Sequence, residues 1–564
     1  MPSIVDRGPD GIVYRAGRNL PLIDLDLLTL LFDSPHSPAA DDDPVHIDAA
    51  DPSRLITKAQ LRTLTKRTAH MLASRYGIGR QGSGRDVILG ISSGNYLLPT
   101  VFYGTIAAGG IFSASSPAST PRELAGQIEQ MTPKLLICSA DLGPVALEAA
   151  QIAGFPKECV LAYSGDGAKG DYGFALNEAA SGNAVPISQQ QLDWERITDR
   201  ETLENSTICI LFSSGTTGKP KGVRLSHQNL VSEAHLTQTV NKEWFAKNNP
   251  SFEYRTIAHL PVAHIAGIQG YLVNSLFMGG PIYWMPRFDF PKFLEYNKKY
   301  RITFFFTVPP IYLLIAKSPL VTDQFDSLDS AVTGAAPMGK ELQAAATKKL
   351  GKGKVILCQT WGLSETTGSI TLLPKGEFDG TGSVSELVSN HEMKIVDDNG
   401  KDVEPGQDGE FWVRGPVVTK GYYQNEEANK SSYVDGWFCT GDIGHFKDGL
   451  FYIVDRKKEL IKYKATQVAP AELEALLVSH PLIQDAAVIG VQGEGTEVPR
   501  AYVVADQKKI SAEDIARWVA EHVSNNKKLR GGVVFIDAVP RSPAGKILRK
   551  VLRDSAKNER PSKL

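Results

Sequence analysis

The chain of 564 residues has little cysteine: five residues, Cys138, Cys159, Cys209, Cys358 and Cys439, widely spaced and with no C-x-x-C pair. An odd, scattered set excludes a disulfide framework and a cysteine-ligated zinc site, and points to reduced thiols in an intracellular protein. Cys209 and Cys358 lie in apolar, strand-like runs and read as core residues. Charge of one sign is lacking too. The 61 basic and 63 acidic residues leave a net −2, without the basic excess of a nucleic-acid-binding surface. A strand-linked G-x-G-x-x-G is absent, which excludes a nicotinamide-dependent dehydrogenase. The opening Met1-Pro-Ser-Ile-Val-Asp lacks the basic start and apolar core of a secretory signal. One long stretch, between Asp86 and Arg122, carries no charge, but Gly94, Pro99, Gly104, Gly109, Gly110 and Pro117 interrupt it. The pieces have strand (87–92), helix (96–108) and strand (111–115) lengths, so they predict a buried βαβ unit and no transmembrane segment.

Apolar residues at 42% and charged residues at 22% are ordinary for a globular protein, and the length calls for two or more domains. Strand-like runs at 134–139, 281–285, 302–307 and 355–358 alternate with helical patterns at 290–300 and 338–350. That alternation predicts an α/β fold: a large N-terminal domain of mixed, mostly parallel sheets with flanking helices. Around 393–413 short strands punctuated by Gly and Asp predict a small antiparallel region. A strand at 449–454 then meets the charged break Asp455-Arg-Lys-Lys-Glu459. Beyond it, helices at 471–478 and 511–523 alternate with strands at 486–491, 501–504 and 533–536. The division expected is therefore 1–454 and a small α+β unit, 455–564.

The densest chemistry is Leu211-Phe-Ser-Ser-Gly-Thr-Thr-Gly-Lys-Pro-Lys-Gly-Val223, after the apolar run 207–212. Glycines let a loop wrap closely around phosphates, while backbone N–H groups, hydroxyls and lysines supply donors and positive charge. It is not a Walker loop, because Pro220 follows Gly218-Lys219. Further strings follow in order: Thr333-Gly-Ala-Ala-Pro-Met338, Gln359-Thr-Trp-Gly-Leu-Ser-Glu365-Thr, Asp435-Gly-Trp-Phe-Cys-Thr-Gly-Asp442, Asp455-Arg-Lys-Lys458 and Pro540-Arg-Ser-Pro-Ala-Gly-Lys546.

Together these strings closely resemble the motifs of adenylate-forming enzymes: acyl-CoA synthetases, 4-coumarate–CoA ligases and beetle luciferases. The resemblance implies that a carboxylate is joined to AMP from ATP and then passed to a thiol. It implies phosphate contacts from Ser213, Ser214, Gly215, Thr216, Thr217, Gly218 and Lys221, with Glu365 and Thr216 holding Mg²⁺. Gln359, Thr360, Trp361 and Ser364 would surround the nucleotide, Trp361 standing where a tyrosine is usual. Asp442 and Arg456 would take the ribose. Lys546, Lys462 and His264 would act at the reacting groups, and Lys458 would be the pivot of a hinge at 455–458. Lys464, Ala465 and Gln467 would line the coenzyme A channel after a domain swing.

The same resemblance places Ile265, Ala266, Val308, Gly334, Ala335 and Ala336 around the acyl group. Small, apolar walls and no identifiable basic partner for a second carboxylate predict an apolar monocarboxylic acid, aryl, arylalkanoic or medium-chain fatty. His264 replaces the Asp of amino-acid-activating relatives. Two departures stand out: Ala465 and Ser385 occupy positions where relatives usually have glycine. Ala465 leaves the acceptor open between coenzyme A and a carrier protein or other group. Ser385, away from the phosphate strings, is expected to matter little. The chain stops at Ser562-Lys563-Leu564, the tripeptide read by a peroxisomal import receptor, so a peroxisomal matrix location is expected.

Overall fold

The computed structural model describes residues 2–167, 171–213, 220–464, 466–493, 495–542 and 545–558. It is a mixed α/β fold, as the alternation predicts. A seven-stranded sheet runs in the order Lys221–Ser226, Thr207–Ser213, Ile111–Ser115, Val87–Ile91, Leu135–Ser139, Val160–Ser164, Ala175–Glu178. Its five central strands are parallel and its two edges antiparallel. A four-stranded sheet and a parallel three-stranded sheet (Phe304–Thr307, Ser330–Thr333, Leu357–Gln359) complete the α/β layers.

The uncharged stretch forms the predicted βαβ unit, its helix Leu98–Ala107 buried at every position. Gly104 lets that helix approach Lys58–Tyr76 closely: a Cβ there would sit 2.6 Å from the Thr68 methyl. Each fully buried Leu, Val or Phe of this core contributes about 1.5–3 kcal/mol, so a Gly104→Ala clash acts on a large term. Among the described residues no helix is long and apolar enough to cross a membrane.

The antiparallel region is larger than the sequence suggests. Ile4–Gly8 and Gly11–Arg15 form a hairpin that joins Glu392–Val396, Gly409–Arg414, Trp437–Lys447, Tyr433–Val434 and Leu450–Arg456 in one seven-stranded sheet. Leu450–Arg456 pairs Asp442 with Arg456 and Ile443 with Asp455, so the strand continues two residues past the expected boundary. The chain leaves the sheet at Lys457. After it come the hairpin Ile461–Tyr463 with Thr466–Val468, the helix Pro470–Ser479 and the sheet Ile483–Gln492, Glu497–Ala505, Val533–Phe535. These elements, with Ala512–His522, enclose their own apolar core around Leu473, Val488 and Val503.

Candidate active site

Strands Thr207–Ser213 and Lys221–Ser226 pair so that Ser213 faces Lys221. The glycine-rich string therefore joins the ends of an antiparallel pair. Ser214, Gly215, Thr216, Thr217 and Gly218 lie outside the described residues. Lys221 rests its ammonium 4.7 Å above the Tyr422 ring. The Tyr422 hydroxyl in turn donates to Glu365 Oε1 at 2.9 Å. Burial, then the Glu365 charge, holds this phenol well above its ordinary pKa, so it stays a donor. Glu365 is buried in the short turn Ser364–Thr366, its carbonyl accepting from the Thr419 amide. Tyr422 escaped sequence reasoning. Its only local signal is the pair Tyr422-Tyr423 after Gly421.

The string from Gln359 to Glu365 begins at the C-terminal end of the parallel strand Leu357–Gln359. The Thr360 amide donates to the Thr333 carbonyl and the Trp361 amide to Thr371 Oγ1. Trp361 is 6% exposed and packs edge-on against Phe411, centroids 5.4 Å apart. Its indole N–H is given to Asp442 Oδ2 at 2.8 Å, while Arg456 Nε lies 3.2 Å from Asp442 Oδ1. The candidate base platform and the candidate ribose carboxylate are thus one hydrogen-bonded unit. Gln359 differs from expectation. Its amide donates to Gln343 Oε1 at 3.0 Å, which makes its side chain part of the frame behind the site.

Ser385 also differs from expectation. It holds φ +77, in the left-handed region that favours glycine, and is fully buried. Its hydroxyl donates to the Gln359 carbonyl at 2.5 Å, offsetting backbone strain of about 1–3 kcal/mol. The serine therefore touches the base of the nucleotide string.

Of the expected acyl walls, Val308 and Gly334 follow the paired strand ends Thr307 and Thr333. Val308 precedes the helix Pro309–Lys317, and Ala335 turns the chain with φ +69. A Cβ on Gly334 would stand 3.1 Å from Thr360 and 3.4 Å from Phe306, so these segments are in close contact. His264 caps the short helix Ile265–Gly267, which leads into a π-helical turn, Ile268–Asn274. Ile265 and Ala266 are half-buried there. Beside Gly270, four residues after Ala266, a Cβ would meet nothing within 4 Å.

The small C-terminal unit supplies the last group. Arg541 and Ile547 form an antiparallel bridge, and Ser542 Oγ accepts from the Lys546 amide at 3.2 Å. Gly545 presses on the large unit: a Cβ there would lie 3.1 Å from Val308 Cγ2. Lys546 consequently enters the field of Arg456, Glu365 and Asp442. Burial first, and Arg456 second, push its ammonium down to about 8, against the pull of the two carboxylates. His264 is pushed down to about 4, mainly by burial and then by the Lys546 charge. A neutral imidazole, two cations and two carboxylates are thus linked through the field at Lys546.

Not every expected residue joins them. Lys458, Lys462, Lys464 and Gln467 are exposed. Lys462 and Gln467 are cross-strand partners on the hairpin Ile461–Tyr463 with Thr466–Val468. The backbone amides of Lys462 and Lys464 bond to Glu497 and Thr496 of the same unit. Ala465 lies outside the described residues.

The family model described as AMP-binding enzyme matches residues 36–423, and that of the AMP-binding enzyme C-terminal domain matches 472–546. A protein of Emericella nidulans with the provisional name acyl-coenzyme A synthetase is 45% identical over 558 residues, 97% of this chain and 98% of its own. Phenylacetyl-CoA ligase epaB of Aspergillus niger is 34% identical over 520 residues, 91% of this chain and 93% of its own. The crystal structure of ATP-bound MatB from Rhodopseudomonas palustris is similar with a TM-score of 0.77 at 26% identity, covering 94% of this chain and 99% of that one.

Proposed function

The chain belongs to the AMP-binding enzyme family, and from that premise we propose that it is an ATP-dependent, AMP-forming acid–CoA ligase. The observation that carries this reading is the seating of Gly545 of the small unit against Val308 of the large one, which puts Lys546 within electrostatic reach of Glu365, Asp442 and hinge residue Arg456. A substrate carboxylate oxygen attacks the α-phosphorus of ATP, the bond to pyrophosphate breaks, and acyl-AMP forms. Two anions meet in that step, so fixed positive charge is worth most in its transition state. Lys546 supplies such a charge and Lys221 a second, with Ser213 at the mouth of the glycine-rich string. Asp442, held by Trp361 and Arg456, accepts from the ribose hydroxyls. The thiol sulfur of coenzyme A then attacks the acyl carbonyl and expels AMP, and the thiol proton passes to solvent.

Glu365 fits a share in a magnesium site. Among the described residues its Oε1 accepts from a phenol hydroxyl, and no three His, Cys, Asp or Glu side chains gather to bind a metal by themselves. A hard cation held by one carboxylate and the nucleotide phosphates matches that donor set. Bound there, it would neutralise phosphate charge as pyrophosphate departs.

The acid we propose is an apolar monocarboxylic acid, aryl, arylalkanoic or medium-chain fatty. The small side chains at Ala266, Ala335 and Ala336 and the open space beside Gly270 support it. A relative named phenylacetyl-CoA ligase supports the arylalkanoic member of that class. The test is acid-dependent AMP release from ATP and Mg²⁺ with phenylacetate, cinnamate and C4–C16 fatty acids, each with and without coenzyme A. Release that needs both an acid of this class and coenzyme A is expected. Release with no acid, or with none of them, would refute the reading.

We further propose that the unit 455–564 moves as a domain about 455–458, and that Ser562–Leu564, outside the described residues, directs the protein to peroxisomes. Deleting the tripeptide should leave turnover unchanged and shift a fluorescent fusion carrying the tag at its N-terminus to the cytosol. Import that persists would place the signal elsewhere.

A further inference from the structure

The helix Pro309–Lys317 of the large unit touches the small unit at both ends. At its N-terminus Val308 and Pro310 receive Gly545, with 3.1 and 3.6 Å left for a Cβ. At its C-terminus Lys317 Nζ donates to the Val478 carbonyl at 3.0 Å and to the Ile483 carbonyl at 2.6 Å. Val478 lies in the last turn of Pro470–Ser479, where carbonyls have no partner within the helix and cations are favoured. A cation of one unit therefore caps a helix of the other. Gly339 of the large unit also meets Ala475 of the small one: a Cβ at 339 would lie 3.0 Å from the Ala475 Cβ.

The grip continues toward the site. Two residues beyond Ile483, Asp485 accepts from Arg541 at 2.8 and 3.3 Å. Arg541 also donates to the Gly545 carbonyl at 2.8 Å, and Gly545 precedes Lys546. A continuous path of hydrogen bonds and chain thus runs from Lys317 to the hairpin that carries the buried ammonium.

We propose that Lys317 is a positioning residue for Lys546: it seats the small unit so that Lys546 reaches the adenylation site. This rests on the reading that Lys546 serves acyl-AMP formation. Lys317 touches no reacting group, and its side chain is at the rim, so its loss acts on seating and leaves each unit's core intact.

The experiment compares full-length wild type, Lys317→Met and Lys317→Arg. Each is assayed for pyrophosphate exchange with phenylacetate, cinnamate or octanoate, whichever wild type uses best. Thioester formation from the matching supplied acyl-AMP and coenzyme A is measured in parallel. Loss of two charge-assisted bonds to carbonyls should lower exchange about tenfold in Lys317→Met, with thioester formation unchanged and Lys317→Arg within about twofold of wild type. Hydrogen exchange of the peptide spanning 541–548, without substrate, should speed up in Lys317→Met alone. Equal loss in both half-reactions, or unchanged exchange rates with unchanged amide protection, would overturn the proposal. If wild type exchanges pyrophosphate with none of the acids, the adenylation reading fails, while amide protection still decides whether Lys317 seats the small unit.

Discussion

The small C-terminal unit carries two hairpins, and the structure treats them in opposite ways. In the one bridged by Arg541 and Ile547, Gly545 is pressed against Val308, and Lys546 comes under the influence of Glu365, Asp442 and Arg456. The hairpin Ile461–Tyr463 with Thr466–Val468 points Lys462, Lys464 and Gln467 to solvent. Lys462 and Lys464 differ from Lys546 in surroundings far more than in chemistry. Burial and a neighbouring arginine make the Lys546 ammonium weakly held, whereas the exposed pair stay hydrated. One rigid arrangement cannot place both hairpins at the same nucleotide. The difference fits the proposal that this arrangement serves acyl-AMP formation and that another, reached by movement near Lys457, serves thioester formation.

The comparison breaks most visibly at Lys546. Lys546→Ala should lower pyrophosphate exchange about 10²–10³-fold, the usual cost of removing one group that stabilises transition-state charge. Thioester formation from supplied acyl-AMP should persist, because that step is proposed to use the other hairpin. Equal failure of both would show that the two hairpins do not divide the chemistry. The depressed ammonium adds a pH signature. Its charged form is the active one, so kcat/KM for ATP in the exchange reaction should fall as pH rises through about 8. Lys546→Arg, which stays charged, should lose that limb whatever its absolute rate.

A smaller effect is expected on the large unit's side of the same meeting point. Trp361→Phe keeps an aromatic ring but removes the donor to Asp442 Oδ2, leaving one buried carboxylate oxygen unpaired. At about 1–3 kcal/mol for a buried acceptor, KM for ATP should rise roughly tenfold. Thioester formation, if its ribose contacts are the same, should show a matching rise in the dissociation constant of acyl-AMP. An unchanged KM for ATP would mean that Arg456 alone holds Asp442.

Much of this was legible in the sequence because it is local. Strand Ile111–Ser115 follows from an uncharged run bounded by Gly110 and Pro117, and Pro470–Ser479 from helical spacing after a proline start. The order of the strings from Leu211 to Lys546 pointed to the family and to most residues that meet at the site. What escaped notice depends on distant partners. Nothing near Ile4 announces pairing, through Gly11–Arg15, with a strand that begins at Glu392, because register between remote strands is set by the whole sheet. Tyr422 reaches Glu365 across 57 positions, and Lys317 reaches Ile483 across 166. Ser385 misled for the same reason: its hydroxyl bonds Gln359, which only the folded chain brings near. Gln359 shares the motif spacing of a nucleotide contact, yet spacing along the chain does not say which way an amide points.

The finest discrimination between the two hairpins is at Ala465. Tyr463 pairs with Thr466, so the connection is Lys464-Ala465, and Lys464 already holds φ +51. Ala465→Gly should remove a methyl from the proposed coenzyme A passage. KM for coenzyme A should then fall a few-fold, while pyrophosphate exchange stays at the wild-type rate, because the 541–547 hairpin is untouched. A change in exchange with no change in coenzyme A dependence would reverse the assignment of the two hairpins. A fall confined to coenzyme A would tie this exposed turn to the thiol step by a substitution that adds no new polar group.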